Sequence, residues 1–144
     1  LAYRQNSSSP FSGSPEKLQA TLYALLDNQL PVEVLMEHHL AGKTNQYPLI
    51  VIPECHFIET SLLNELRDYL QNGGNLLVIG AETAAIFASE LGIQSSNTSD
   101  EKVTFISAAN RLGSVRSPLL EVELSPDRIV ISKFYDVGDY GNKS

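Results

Sequence analysis

The 144-residue sequence has no tryptophan, one cysteine and one methionine. A single cysteine excludes an intrachain disulfide and any cysteine-rich metal site, and it leaves the redox compartment open. Positive charge is also scarce: ten Lys and Arg against seventeen Asp and Glu give a formal net charge of −7. The ten are scattered, which argues against nucleic acid, because gripping a phosphate backbone depends on concentrated basic residues. Long apolar runs are missing too. The longest have about four to six residues, where a membrane-spanning helix needs roughly 20. What remains, 42% hydrophobic and 19% charged residues, is ordinary for a soluble globular chain. Its length suits a single domain, residues 1–144, with a real core. It opens at Leu1 without a charged-then-apolar leader and closes on the polar Lys143-Ser144,. This reads as a domain excised from a larger multidomain polypeptide.

Residues 5–14, "QNSSSPFSGS", form a Ser-, Pro- and Gly-rich loop. Ser14-Pro15 then starts a helix, with Ser as N-cap and Pro at the first helical position. Leu18, Leu22, Leu25 and Leu26 make one apolar face, predicting a helix to about Asn28,. "PVEVLM" (31–36) reads as a short strand and "YPLIVIP" (47–53) as a stronger one. Thr60 or Ser61 caps the next helix, whose buried stripe is Leu62, Leu63, Leu66, Tyr69 and Leu70. Asn72-Gly73-Gly74 ends it, because Gly accepts the left-handed conformation needed there. "NLLVIG" (75–80) is again a strand, and Ala84 to Glu90 a helix that stops at Gly92. "KVTFIS", "LLEVEL" and "RIVISKFY" are later strands, the last two alternating as half-exposed antiparallel strands do,. The first two thirds alternate helix and strand, and the two clearest strands are apolar on both faces. That pattern predicts an α/β fold with a mostly parallel sheet covered by helices, followed by a β-rich final third.

Open parallel sheets gather ligands at the carboxyl ends of their strands. After 47–53 comes "PECHF", which brings Glu54, Cys55 and His56 to a strand-to-helix turn. A Cys beside a His invites a thiolate nucleophile, but sequence neighbours point in different directions and catalytic pairs meet through space. A structural role for Cys55 is favoured. After 75–80 comes Gly80-Ala81-Glu82-Thr83-Ala84. Gly80, Ala81 and Ala84 meet the steric demand of a nucleophile elbow, with Glu82 at its centre. A carboxylate there is a base or nucleophile only with a partner, and none is identifiable. The favoured reading is that Glu82 caps or solvates the helix start, where the dipole suits negative charge. His38-His39, preceded by Glu37, lack further ligands nearby, and on a strand they would diverge to opposite faces. A polar turn is expected, with no metal and no cofactor. Asn6, Asn97 and Asn142 open glycosylation sequons of the kind that Ser/Asn-rich loops produce by chance,.

The run "YPLIVIPECHFIETSLLNELRDYLQNGGNLLVIGAE" resembles the central stretch of the class I glutamine amidotransferase-like superfamily. More narrowly, it is similar to the non-catalytic trimerisation-type domain of family 42 β-galactosidases. "DRIVISKFYDVGD" resembles a late strand of those domains. The similarity is good over about residues 14–92 and loose beyond. It implies a flavodoxin-like three-layer sandwich. In active amidotransferases the strand matching "LLVIG" runs into a Gly-x-Cys-x-Gly elbow, with His and Glu supplied later. Here Glu82 takes the Cys position, Ala84 takes the second Gly, and no His follows His56. Cys55 follows the wrong strand to substitute. The glutamine-hydrolysing machinery is absent on two counts.

The leading expectation is therefore a non-catalytic accessory or assembly domain of a larger, glycoside hydrolase-type protein. Its partners would be the catalytic domain of the same polypeptide and identical subunits. Phe57, Ile58, Tyr135 and Tyr140 are candidates for the binding surface. A polysaccharide-degrading parent would imply a periplasmic or extracellular site. Two rivals stand beside it: a small hydrolase or transferase using Cys55 or Glu82, and a sugar-binding module, which the lack of Trp disfavours.

Overall fold

In the computed structural model the described residues are 2–3, 15–98, 100–108, 111–117, 119–132 and 134–135. They divide into two compact units, Leu1–Phe87 and Ala88–Ser144.

The first unit runs β1 (Ala2–Tyr3), α1 (Pro15–Asp27), β2 (Leu35–Met36), α2 (Glu37–Leu40), a 3₁₀ turn (Thr44–Gln46), β3 (Leu49–Ile52), α3 (Thr60–Gln71), β4 (Asn75–Val78) and α4 (Ala81–Ile86). Helix α1 starts at Pro15 as expected, while Ser14 lies outside the described residues. The strand expected at 31–36 shrinks to Leu35–Met36, and the chain then turns helical. β1 pairs with β2, and β3 with β4, both in parallel, with Ile50 opposite Leu76 and Ile52 opposite Val78. Residues opposite each other share a face, so Ile50, Ile52, Leu76 and Val78 lie on one side and Leu49, Val51 and Leu77 on the other.

The expectation that both strands are apolar and covered on both faces needs correction. Ile50, Val51 and Ile52 are buried, but Leu49, Leu77 and Ile79 remain exposed. Continuous hydrophobicity told of a parallel strand without telling which side is covered.

The core beneath is built by α3. Leu62, Leu66 and Tyr69 are buried, at the i, i+4, i+7 spacing of one helix face,. Leu63 and Leu70 sit at the margins of that stripe and are only half-buried. The N-cap position is Glu59 and carries no side-chain cap bond, so neither Thr60 nor Ser61 caps the helix. Its end is as expected. Gly73 has φ +86, and the N–H groups of Gly73 and Gly74 return to the carbonyls of Leu70 and Tyr69 at 3.0 and 2.9 Å. The Tyr69 hydroxyl accepts the Asn75 N–H at 3.0 Å and points its proton toward the Tyr47 carbonyl at 2.9 Å. One phenol thus fixes the entries of β3 and β4 to the helix between them.

A carboxylate anchors the loop before β3. Glu65, on α3, accepts the Gly42 N–H at 2.9 Å and the Thr44 hydroxyl at 2.8 Å. Burial pushes its pKa up, but the bonds from Gly42 and Thr44 outweigh it and hold the carboxyl below its ordinary 4.5,. A group depressed on folding stabilises above its unfolded pKa and loses that contribution as pH falls through the folded one. Glu65→Gln is therefore expected to cost roughly 1 kcal/mol in urea unfolding at pH 7. The gap to the parent chain should close in acid, below the ordinary glutamate value. A gap that stays constant down to acid pH would reject the anchor.

The second unit begins with α5 (Ala88–Leu91). The helix expected over 84–90 starts earlier, at Ala81, and breaks at Phe87 into two. Gly92, at φ +63, ends the second piece. Then follow β5 (Ile93–Thr98), β6 (Lys102–Ala108), β7 (Arg111–Ser117), β8 (Leu120–Leu124) and β9 (Phe134–Tyr135), all antiparallel: β5 with β8, and β7-β6-β9. β5 and β7 were not expected from sequence. "IQSSNT" and "RLGSVRS" are polar, and the backbone of their neighbours supplies the pairing that their side chains do not announce. The strand expected at 128–135 is confined to Phe134–Tyr135.

The chain is thus mixed α/β, with a small parallel sheet first and antiparallel sheets after it.

Candidate functional site

β3 and β4 end side by side. The Ile79 N–H still reaches the Ile52 carbonyl at 3.0 Å before the two chains part. From β3 the chain enters Pro53 to Glu59, and from β4 it turns at Gly80 into α4. Gly80 sits at φ +98, ψ 154, a region open essentially to glycine alone. There is a second demand for glycine. A Cβ at this position would lie 2.6 Å from Cβ of Glu54.

The inward side chain of the turn is Thr83, which is wholly buried. Its hydroxyl accepts the Cys55 N–H at 2.8 Å and lies 3.4 Å from the Pro53 carbonyl. Thr83 therefore staples the turn after β4 to the loop after β3. Sequence reading missed it, although a signal existed. Thr83 and Phe87 are four apart, on one helix face, and both are buried,.

Glu82 points the other way, into solvent. It stands in the first turn of α4, and its carboxylate forms an ion pair with Nδ1 of His56. Both side chains are more than half exposed. Water screens such a pair, which adds little to stability. Chemically it is an imidazole held by a carboxylate at the ends of adjacent strands. Beside it, Lys17 of α1 pairs with Glu54.

Cys55 and His56 are neighbours in sequence that part in space. Sγ of Cys55 lies 3.6 Å from the Thr83 hydroxyl, while the His56 ring turns to Glu82. No hydrogen bond joins the two among the described residues. Burial pushes the thiol pKa up, and the charges of Glu37 and Glu54 add to that against the bonds from Thr83 and Phe57. A raised thiol is mostly protonated near neutrality and a poor nucleophile. Iodoacetamide should alkylate Cys55 more slowly than free cysteine at pH 8. An equal or faster rate would overturn this account.

His38 and His39 lie on a helical turn, with ring centroids 4.0 Å apart. They do not diverge as on a strand, because the strand ends at Met36. Among the described residues no three His, Cys, Asp or Glu side chains are grouped to hold a metal ion. No described helix is long and apolar enough to cross a membrane. Of the four candidates for a binding surface, Phe57 and Tyr135 are exposed and Ile58 is buried. Ile58 is withdrawn because its side chain belongs to the core. Tyr140, Asn6 and Asn142 lie outside the described residues, and Asn97 lies in β5.

No protein-family model and no curated protein sequence matches the chain. Two solved structures are similar: Gan42B, a GH42 β-galactosidase, and a catalytic mutant of Gan42B from G. stearothermophilus. Each superposes with a TM-score of 0.70 at 15% identity, over 85% of this chain and 20% of the other. At that identity the likeness is one of fold, related to that of a GH42 β-galactosidase. The chain spans about a fifth of the length of those proteins.

Proposed function

We propose that residues 1–144 act as one flavodoxin-like, amidotransferase-like α/β domain of a larger, glycoside hydrolase-type protein, and that the domain's work is non-catalytic. It packs against the catalytic domain of the same polypeptide and against identical subunits. The observation that carries this reading is the state of the turn after β4. Glu82 stands where the resembling enzymes carry Cys, and it is spent in a solvent-exposed pair with His56. Thr83 meanwhile locks the turn to the neighbouring strand end. That is the arrangement of a joint. The fold likeness to a GH42 β-galactosidase supports the choice of parent, and β1, paired with β2 and close to β3, supports the flavodoxin-like order. With a net charge of −7, nucleic acid has no place among the partners. A polysaccharide-degrading parent would put the domain in the periplasm or outside the cell.

The test is deletion of this segment from its parent polypeptide. Glycoside hydrolase activity per folded molecule, or the subunit number by light scattering, should fall. A parent that keeps both would overturn the reading. One observation favours a second reading, a small hydrolase or transferase: the imidazole–carboxylate pair of His56 and Glu82 has the form of a general base. In that case Glu82→Gln would abolish a hydrolytic activity of the isolated chain. Under the assembly reading the same substitution leaves the parent's turnover unchanged.

A further inference from the structure

β4 ends the first unit's parallel sheet without the features of a finished edge. It pairs with β3 and has no second neighbour among the described residues. The Ile79 N–H reaches the Ile52 carbonyl of β3, and backbone groups alternate sides along a strand. Those of Leu76 and Val78 therefore face the open edge. Native edges are blunted by shortness, charge, proline or a bulge. β2, which pairs with β1 alone, is two residues long and turns straight into α2. β4 runs the full length of β3 in unbroken register, and Asn75-Leu76-Leu77-Val78-Ile79 carries neither charge nor proline. Apolar residues on both faces are the mark of a strand inside a parallel sheet, yet Leu77 is 43% and Ile79 37% exposed.

We propose that β4 is a strand-addition edge, and that its occupant is an apolar strand of the same larger polypeptide, from outside residues 1–144. The inference rests on the reading of this chain as a domain of such a protein, and it names the surface that the rest of the polypeptide meets. The size of the edge selects a tethered occupant. A strand of four residues buries far less than the roughly 1,000 Å² that a stable interface between separate chains needs, which counts against a second copy. A covalent link lifts that requirement, because it holds the partner at an effective concentration near millimolar. The two longest stretches of this chain outside the described residues carry no apolar run that could serve: 5–14 are "QNSSSPFSGS" and 136–144 "DVGDYGNKS". The chemistry of the edge sets that of the strand. Leu76 and Val78 on one face and Leu77 and Ile79 on the other call for apolar partners at successive positions, and a charged strand would find no counter-charge on β4. Main-chain bonds to Leu76 and Val78 give the affinity, as in other strand additions.

Residue-resolved hydrogen exchange is the test. In the 144-residue chain the amides of Leu76 and Val78 should exchange freely, while those of Leu77 and Ile79, which turn to β3, are protected. In the folded parent polypeptide Leu76 and Val78 should slow by about a hundredfold or more. In a Cys55→Ala background, Leu77→Cys should be alkylated by iodoacetamide in the 144-residue chain and shielded in the parent until urea unfolds it. Leu76 and Val78 amides that exchange as fast in the parent as in the 144-residue chain overturn the proposal. A shielded Leu77→Cys beside amides that stay fast means a covered face without an added strand, and overturns it as well. Protection of the two amides in the 144-residue chain also overturns it: protection that rises with concentration makes a second copy the occupant, and protection at high dilution places the strand within the chain. None of these outcomes decides the deletion test of the assembly reading, which reads the parent's activity and subunit number.

Discussion

Gly80→Ala should destabilise the first unit by roughly 3 kcal/mol or more. Two independent causes add. An alanine at φ +98, ψ 154 enters a region that only glycine populates readily, at a cost of about 1–3 kcal/mol. Its new methyl group would also stand 2.6, 2.7 and 2.9 Å from Cβ, Cγ and Cδ of Glu54. Overpacking of this kind costs about 1–3 kcal/mol. Glu54 cannot swing away freely, because its carboxylate is tied to Lys17 and its neighbour Cys55 to Thr83. For a unit of this size each kcal/mol lowers the melting temperature by about 4–8 °C, so the shift is expected to exceed about 10 °C. A double-mutant cycle separates the causes. Glu54→Gly removes all three clashing atoms, so Gly80→Ala in that background should retain only the backbone cost. Additive effects, or a loss under about 1 kcal/mol, would mean that the turn is free to rearrange. The turn's shape would then have no part in joining the two strand ends.

Phe87→Ala should be costlier still, about 3–5 kcal/mol. Phe87 is 1% exposed and is the largest of the fully buried side chains. Its N–H closes α4 onto the Thr83 carbonyl at 3.3 Å, so ring and hydroxyl occupy one inner face of a helix only six residues long. So short a helix has little stability of its own. It persists because that face is packed, and truncating the ring should release Thr83 as well. Phe87→Leu, which keeps most of the volume, should cost less than half as much. Urea unfolding of the three chains at neutral pH is the measurement. An alanine variant within about 1 kcal/mol of the parent would remove Phe87 from the core and Thr83 from its role as a staple.

These two positions bear differently on what was legible in sequence. Helix α1 announced itself through Pro15, and α3 through its leucine stripe and the Asn72-Gly73-Gly74 stop. β3, β4 and the parallel character of the first sheet followed from continuous apolar runs. The strand-to-helix turn with Glu82 at its centre was readable too, since small residues around a central carboxylate leave their mark locally. What escaped was set by contacts distant in sequence. Thr83 reaches back to Cys55, Glu65 reaches across to Gly42 and Thr44, and His56 finds Glu82. Each pair is separated by more than twenty residues, so no local pattern reports it. Strands β5 and β7 escaped for a related reason, because polar strands exist through the backbone of their partners.

By itself the sequence determined that Glu82 stands at the centre of the turn after β4 and that no histidine follows His56. It also determined where α1 begins and where α3 ends, because a proline at Pro15 and glycines at Gly73 and Gly74 act on the few residues around them,. Only the tertiary structure decided what surrounds that turn. It turned Thr83 inward and Glu82 outward, covered one face of β3 and β4 more than the other, and left Ile129 and Ile131 in water. Those outcomes depend on which surfaces meet. Burial and electrostatic pairing are properties of neighbours in space, and sequence order does not specify them.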